Sequence, residues 1–266
     1  MSAASWTVLR VPPPTAFVAR ALPGGLPVLT DQLRRRYLRG SLDRDATPGD
    51  PGLFGPGSVT WRLVGQPTMA LAGLRAALLQ TLAAPVPTAT HSTGRFYSDF
   101  LGRVVRTGAF VSAQNLGSLE EVHRSARRVR AMHRVVKGVG KDGVEFDASD
   151  PHLQAWVSMT LTDSILVVTE RFGSGRLPTR DADRFVLEQS THAALLDPRV
   201  DLDALFGDPD QVAALRAGTL PLPQLDDGEL PTTVRGLRDQ MRAWSDELEV
   251  TKLTRMLIDA TIDLTD

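Results

Sequence analysis

The chain has 266 residues, a formal net charge of −1, 42% hydrophobic residues and no cysteine. That length suits a globular protein able to bury ~70–75% of its unfolded surface. The lack of cysteine excludes disulfides, thiolate nucleophiles, cysteine-type zinc sites, iron–sulfur clusters and covalently attached haem, and the near-zero charge gives no field to gather nucleic acid.

Residues 1–30 are broken by Pro12, Pro13, Pro14, Pro23 and Pro27 and carry Arg10 and Arg20, so they lack the unbroken apolar stretch of an export signal. No run reaches the ~18 apolar residues of a membrane span, and a cytoplasmic protein is expected. A short helix is predicted over 31–38, ending at Gly40, with Arg34, Arg35 and Arg36 on a solvated face. A Pro- and Gly-dominated turn region follows over 45–57. The expected organisation is an N-terminal extension over 1–52 and one helical domain over 53–266.

Within that domain the apolar spacing is helical, and no stretch shows the two-residue alternation that calls for a sheet. An Ala- and Leu-rich helix is predicted over 68–83, with Gly73 inside it. Another is predicted over 96–113, with Phe100, Leu101, Val104, Val105 and Val111 as its apolar set. Ser118 and Glu121 form a capping-box pattern that opens a helix over 118–137. Asp150 and Pro151 open a long apolar helix to about residue 172. Its interior Asp163 and Ser164 require partners, because an unpaired buried carboxylate is strongly unfavourable. A further helix is expected over 181–194. An irregular insert rich in Pro, Gly and Asp covers about 197–230 and holds at most one short helix. Val234, Leu237, Met241, Trp244 and Leu248 then mark a helix over 231–248, and a final helix starts near Thr251. The fold class expected is all-α, a multi-helix bundle.

The helix over 118–137 carries the most informative residue. Leu119, Val122, Ala126, Val129, His133 and Val136 recur at spacings of three and four, the stripe a helix turns toward a core, so His133 is expected to point inward. Arg130 lies one turn earlier and can reach a shared target. An inward histidine beside a cation suits an anionic metal cofactor, most simply a haem whose iron takes the imidazole and whose propionates take the guanidinium. The same pattern also describes a hydrogen-bonded packing histidine, and periodicity leaves both open. The remaining histidines, His91, His123, His152 and His192, are read as lying at loops, caps or polar faces. One helix earlier, Arg103, Arg106 and Thr107 form a polar patch, which a solvated surface also explains.

Other motifs fail. Gly138, Gly140 and Gly143 lack the strand and helix of a nucleotide fingerprint and read as a loop. His123 and His133 lie on different faces without an acidic ligand at metal spacing, and nothing matches a nucleophile elbow.

Taken in order, four segments resemble the haem-dependent oxygenase family of latex clearing protein (rubber oxygenase) and the MpaB oxygenase. They are Gly55 to Arg62 (Gly-Pro-Gly-Ser-Val-Thr-Trp-Arg), Gly102 to Thr107 (Gly-Arg-Val-Val-Arg-Thr), the Arg130-Ala-Met-His133 step and the Trp156 to Ser164 helix. The resemblance covers about 53–189, with a weaker echo at 230–248. It implies a globin-like helical core around a non-covalent haem b, with His133 as the iron ligand and Arg130 near the haem edge. Arg103 and Thr107 match polar residues lining the haem pocket. Arg106 stands where the rubber oxygenases have a lysine able to occupy the distal position. Arginine keeps its proton and has no lone pair to offer a metal, so the resemblance implies an open or water-bound distal position, with Arg106 donating to dioxygen. Two family histidines are absent: Ala84-Pro85 stands for His-Pro, and Trp156-Val157-Ser158 for Trp-Val-His. The implied function is an oxygenase acting with dioxygen on an apolar small molecule, an isoprenoid or a secondary metabolite. The alternatives are a non-catalytic haem-binding or haem-sensing protein and a helical scaffold in which His133 only packs.

Overall fold

The computed structural model describes residues 50–66, 68–92, 100–141, 143–173, 175–221, 223 and 230–247. The helices expected over 31–38 and from Thr251 lie outside the described residues, as does nearly all of the extension 1–52. Ten helices and one two-stranded hairpin make up the described elements, so the fold is all-α. They are α1 (Val59–Val64), α2 (Met69–Gln80), α3 (Pro85–Ser92), α4 (Phe100–Leu116), α5 (Leu119–His133), β1 (Lys137–Val139), β2 (Glu145–Asp147), α6 (Pro151–Phe172), α7 (Thr179–Ala194), α8 (Leu202–Gly207), α9 (Pro209–Ala217) and α10 (Val234–Glu247).

Helix α6 is the axis. Asp150 caps it by accepting from the His152 amide at 2.8 Å, and Pro151 sits where no amide donor is needed. Its faces are buried nearly all round, against α2, α7 and α10, which explains why its sequence reads as one apolar run and not a stripe. Trp156, Met159, Ile165 and Leu166 meet Phe185 of α7 and Leu237, Met241 and Trp244 of α10 in the main core. A smaller cluster joins Leu53, Val122 and Ala126 to Leu195, Leu202, Leu205 and Leu215.

Helices α4 and α5 form an antiparallel pair turned by Gly117 and Ser118. The capping box is present: Ser118 Oγ accepts from the Glu121 amide at 3.2 Å, and Glu121 Oε2 accepts from the Ser118 amide at 2.9 Å. Asp50 reinforces this corner, since its Oδ2 accepts from the Leu119 amide at 3.0 Å while its Oδ1 accepts from the Gly52 amide at 2.8 Å.

Three local expectations need correction. The helix predicted over 118–137 stops at His133, because the chain tightens through Val135 N to Met132 O (3.2 Å) and Val136 N to His133 O (3.0 Å) and then enters a strand. The glycines 138, 140 and 143 belong to a hairpin whose strands of three residues are too short to show alternation. Lys137 pairs with Asp147 and Val139 with Glu145, and Gly143 supplies the positive φ of 80° at its turn. The insert over 197–230 holds two helices, not one. Asp201 and Asp208 cap them through their side chains, and Gly218 closes α9 in the left-handed conformation. Those aspartates and glycines, read in bulk, look like loop composition. Helix α3 was also unforeseen. Among the described residues no single helix is long and apolar enough to cross a membrane; α2 and α3 meet the length and composition only as a pair, bent by 103°.

Candidate functional site

The register of α4 against α5 positions the residues singled out from the sequence. Gln114 Nε2 donates to the Val122 carbonyl at 2.8 Å and to Ser125 Oγ at 2.5 Å, which ties the two helices near their turn. Eleven residues separate Gln114 from Arg103 and Val122 from His133 alike, a rise of ~16 Å along each helix. His133 therefore stands at the level of Arg103 and about one turn from Arg106 and Thr107, at the end of the pair away from its turn. Arg106, Thr107 and Gly108 are exposed there, and a side chain added at Gly108 would meet no atom within 4 Å. The side chain of Arg103 lies outside the described residues.

His133 is placed differently from the inward position its stripe predicts. The buried residues of α5 are Val122 and Ala126; Val129 and His133 are half-buried, and Met132 is 53% exposed. The stripe keeps its phase but loses depth toward the helix end. The Nδ1 atom of His133 is shielded from solvent all the same. Arg130 is half-buried and donates from Nη2 to the Val200 carbonyl at 2.8 Å. Burial lowers its pKa, which Asp197 counteracts. Arg130 is thus engaged by the turn before α8, while the chain beyond His133 runs on into the hairpin.

That hairpin brings Asp147 back toward His133. The Ala148 amide donates to the Val136 carbonyl at 2.9 Å, closing the hairpin onto the turn after α5. Asp147 Oδ1 accepts from the Ser149 amide at 2.8 Å and from Ser149 Oγ at 2.5 Å. The Ser149 hydroxyl bond holds this carboxyl below its usual range against partial burial, with the Ser149 amide, Lys137 and His133 adding to the effect. Beside it lies a broad, solvent-open depression of about 700 Å³ between the hairpin and the start of α6. Phe146, Leu153 and Trp156 are among its apolar lining residues, and Glu145, Asp147, Asp150, Lys137 and His152 line it as well. Carboxylates outnumber cations there, so the cavity suits a neutral or cationic apolar molecule better than an anion.

Two features went unread in the sequence. His192, assigned to a polar face, is buried on α7, its ring 4.9 Å from that of Phe54. Burial pushes its pKa down to about 3, opposed by the nearby Gln114 backbone, so it is neutral at ordinary pH. Its position three residues after buried Gln189, on the stripe of Ala182, Phe185 and Val186, was the available signal. The second feature is the partners of Asp163. This carboxylate is fully buried, with Arg75 Nη1 of α2 at 2.8 Å from Oδ2 and Arg238 Nε of α10 at 3.6 Å from Oδ1. Arg75 Nη1 also donates to Ser164 Oγ at 2.7 Å. The polar pair inside α6 does have partners, as burial demands.

Residues 61–265 match the family described as the ER-bound oxygenase mpaB/B′/rubber oxygenase catalytic domain. Neither the curated proteins nor the solved structures give a match.

Proposed function

Because the chain belongs to the family of mpaB and rubber oxygenase catalytic domains, we propose that it is a haem b-dependent oxygenase using dioxygen to oxidise an apolar small molecule, with His133 as the iron ligand. The observation that carries this reading is the α4–α5 register. Counted along the backbone from the Gln114–Val122 bond, it sets one imidazole at the level of Arg103 and about one turn from Arg106 and Thr107. The donor set fits the group: a half-buried imidazole suits iron, and cations nearby suit two propionates.

When bound, haem would supply the dioxygen chemistry, and its surroundings fall to the chain. His133 would hold the metal from the end of α5. Arg106 cannot act as a ligand, because guanidinium stays protonated and lacks a lone pair; its role is to donate hydrogen bonds where negative charge develops on oxygen. Thr107 offers a hydroxyl from the same turn. Arg130 has donors beyond the Nη2 bond to Val200, and these would pair with a propionate of the bound group. The cavity beside Phe146, Leu153 and Trp156 takes the apolar substrate, with its acidic residues turning away anions.

Ala84 and Ser158, in place of two histidines of relatives, favour a second reading in which haem is bound without turnover. Ser158 is half-buried on α6 and Ala84 is exposed, so neither supplies an imidazole. An oxygen electrode separates the readings. Protein reconstituted with haemin should consume oxygen when an unsaturated isoprenoid is added, and His133→Ala should not. Haem binding without consumption across a panel of apolar alkenes would replace the first reading with the second.

A further inference from the structure

We propose that the end of α5 and the hairpin after it form a docking face for a bilayer bearing anionic headgroups, with Met132, Val135 and Val139 entering the interface and the exposed cations beside them meeting the headgroups. The docking itself needs no haem. That the adjoining depression then draws an apolar substrate out of the lipid rests on the oxygenase reading above.

Charge is one-sided along this stretch. Residues 122–141 hold seven Arg and Lys residues and no Asp or Glu, and carboxylates return only from Asp142 onward. Three of the seven have protein partners: Arg124 pairs with Glu120, Arg127 with Asp203, and Arg130 with the Val200 carbonyl. The other four, Arg128, Arg134, Lys137 and Lys141, are exposed. Among them stand three apolar side chains that packing leaves in water, with Met132 53%, Val135 77% and Val139 65% exposed. Arg128, Met132 and Val135 follow at steps of four and three, one side of a helix, and the bond from the Val135 amide to the Met132 carbonyl carries that winding past His133. Lys137 and Val139 share one face of β1. The hairpin is held shut by the Ala148 amide on the Val136 carbonyl and the Gly140 amide on the Val144 carbonyl. Across it, Glu145 stands opposite Val139 and Asp147 opposite Lys137. Asp147 is already bonded to the Ser149 amide and hydroxyl, so the four exposed cations dominate the local field.

Apolar tips interleaved with long cationic side chains match a bilayer surface, where the tips reach the acyl boundary and Lys and Arg extend to the headgroups. Single-stranded nucleic acid would call for aromatic rings on which bases stack, and residues 128–141 contain no Phe, Tyr or Trp. The other exposed apolar set, Leu71, Leu74 and Leu78 of α2, lacks this complement, because the one cation of that helix, Arg75, turns inward to Asp163. Lys137, Gly138 and Val139 also line the depression, so docking by this face sets one of its walls against the lipid.

The test uses the full chain. Because it has no cysteine, Val139→Cys and, as a control, Leu78→Cys each take a single environment-sensitive fluorophore. Vesicles of phosphatidylcholine and phosphatidylserine in equal parts should blue-shift the label at 139 and not the label at 78, and vesicles of phosphatidylcholine alone should shift neither. In co-sedimentation with the mixed vesicles, Arg128→Gln combined with Arg134→Gln should bind ~25-fold more weakly, about fivefold for each cation lost near an anionic surface. Val135→Ser combined with Val139→Ser should also bind less, whereas Arg180→Gln, exposed on α7, should bind as the wild type does; circular dichroism checks that each variant is folded. No sedimentation of the wild type with mixed vesicles, equal binding to both kinds of vesicle, or a label shift at 78 as large as at 139 overturns the inference. A dimer in which the 139 label is shifted without vesicles also overturns it and gives the face to a second copy. None of these results bears on the haem reading, which falls only if the protein takes up no haemin.

Discussion

Replacing Asp163 by asparagine preserves volume and removes a negative charge shared by two nearly buried guanidinium groups. Arg75 and Arg238 are only 16% and 12% exposed, and the carboxylate they share is 0% exposed. Without it, Arg75 keeps its bond to Ser164 Oγ, but the two positive charges face each other inside the junction of α2, α6 and α10. Breaking a buried ion pair by removing one partner costs about 3–5 kcal/mol. In a chain of this size that lowers the melting temperature by ~10 °C. Ser164→Ala removes one bond from a charged donor and should cost less, ~1.5 kcal/mol. Arg75→Met combined with Asp163→Asn relieves the repulsion, so the double variant should lose at least ~1 kcal/mol less than the sum of the single losses. Urea titration at constant m-value reads each difference from the midpoint. An Asp163→Asn protein within ~1 kcal/mol of wild type would refute the reasoning, because both guanidinium groups would then have reached water.

The buried His192 makes stability fall on acidification. Its folded pKa of about 3 lies below the ordinary value of 6.5, so the unfolded chain binds the extra proton in the window between. Stability should drop by ~2 kcal/mol from pH 7 to pH 5, and a denaturation series on His192→Phe should lose that part of the pH slope; an identical slope in the variant would contradict the assignment. Gly52 has φ 66°, and a Cβ there would clash with the Gly117 carbonyl oxygen. Gly52→Ala should therefore cost ~2–4 kcal/mol from strain and overpacking, measured as a lower urea midpoint, whereas an unchanged midpoint would mean the corner at Gly117 yields freely. In haem-loaded protein, Arg106→Lys should introduce a possible nitrogen ligand and turn the ferric spectrum toward low spin as pH rises toward the lysine pKa; a low-spin, nitrogen-ligated spectrum already present in the wild type would contradict an open distal position.

What the sequence disclosed follows from the range of the interactions involved. The Ser118–Glu121 capping box, the Asp150–Pro151 start of α6 and the stripe of α10 rest on residues a few positions apart, so their signals are local. The hairpin at 137–147 escaped because three-residue strands carry no readable alternation. The helices at 202–207 and 209–217 escaped because their aspartate caps resemble loop composition. The need of Asp163 for partners was legible from its apolar neighbours, but Arg75 and Arg238 were not, since only the packing of three helices brings them together. At the candidate site, the residue types and their order pointed to the family that the match over residues 61–265 establishes. The depth of His133 was not legible: a stripe reports the side of a helix, whereas burial depends on what packs at its end.

Titration of haemin into the purified apoprotein, followed at the Soret band, tests the central claim most directly. The account predicts a saturable spectrum at one equivalent in the wild type and in His192→Phe, with saturation lost in His133→Ala although that variant keeps its helical circular dichroism. A wild-type protein that is folded but gives no saturable Soret change, or a His133→Ala variant that binds haem as tightly as the wild type, would contradict it.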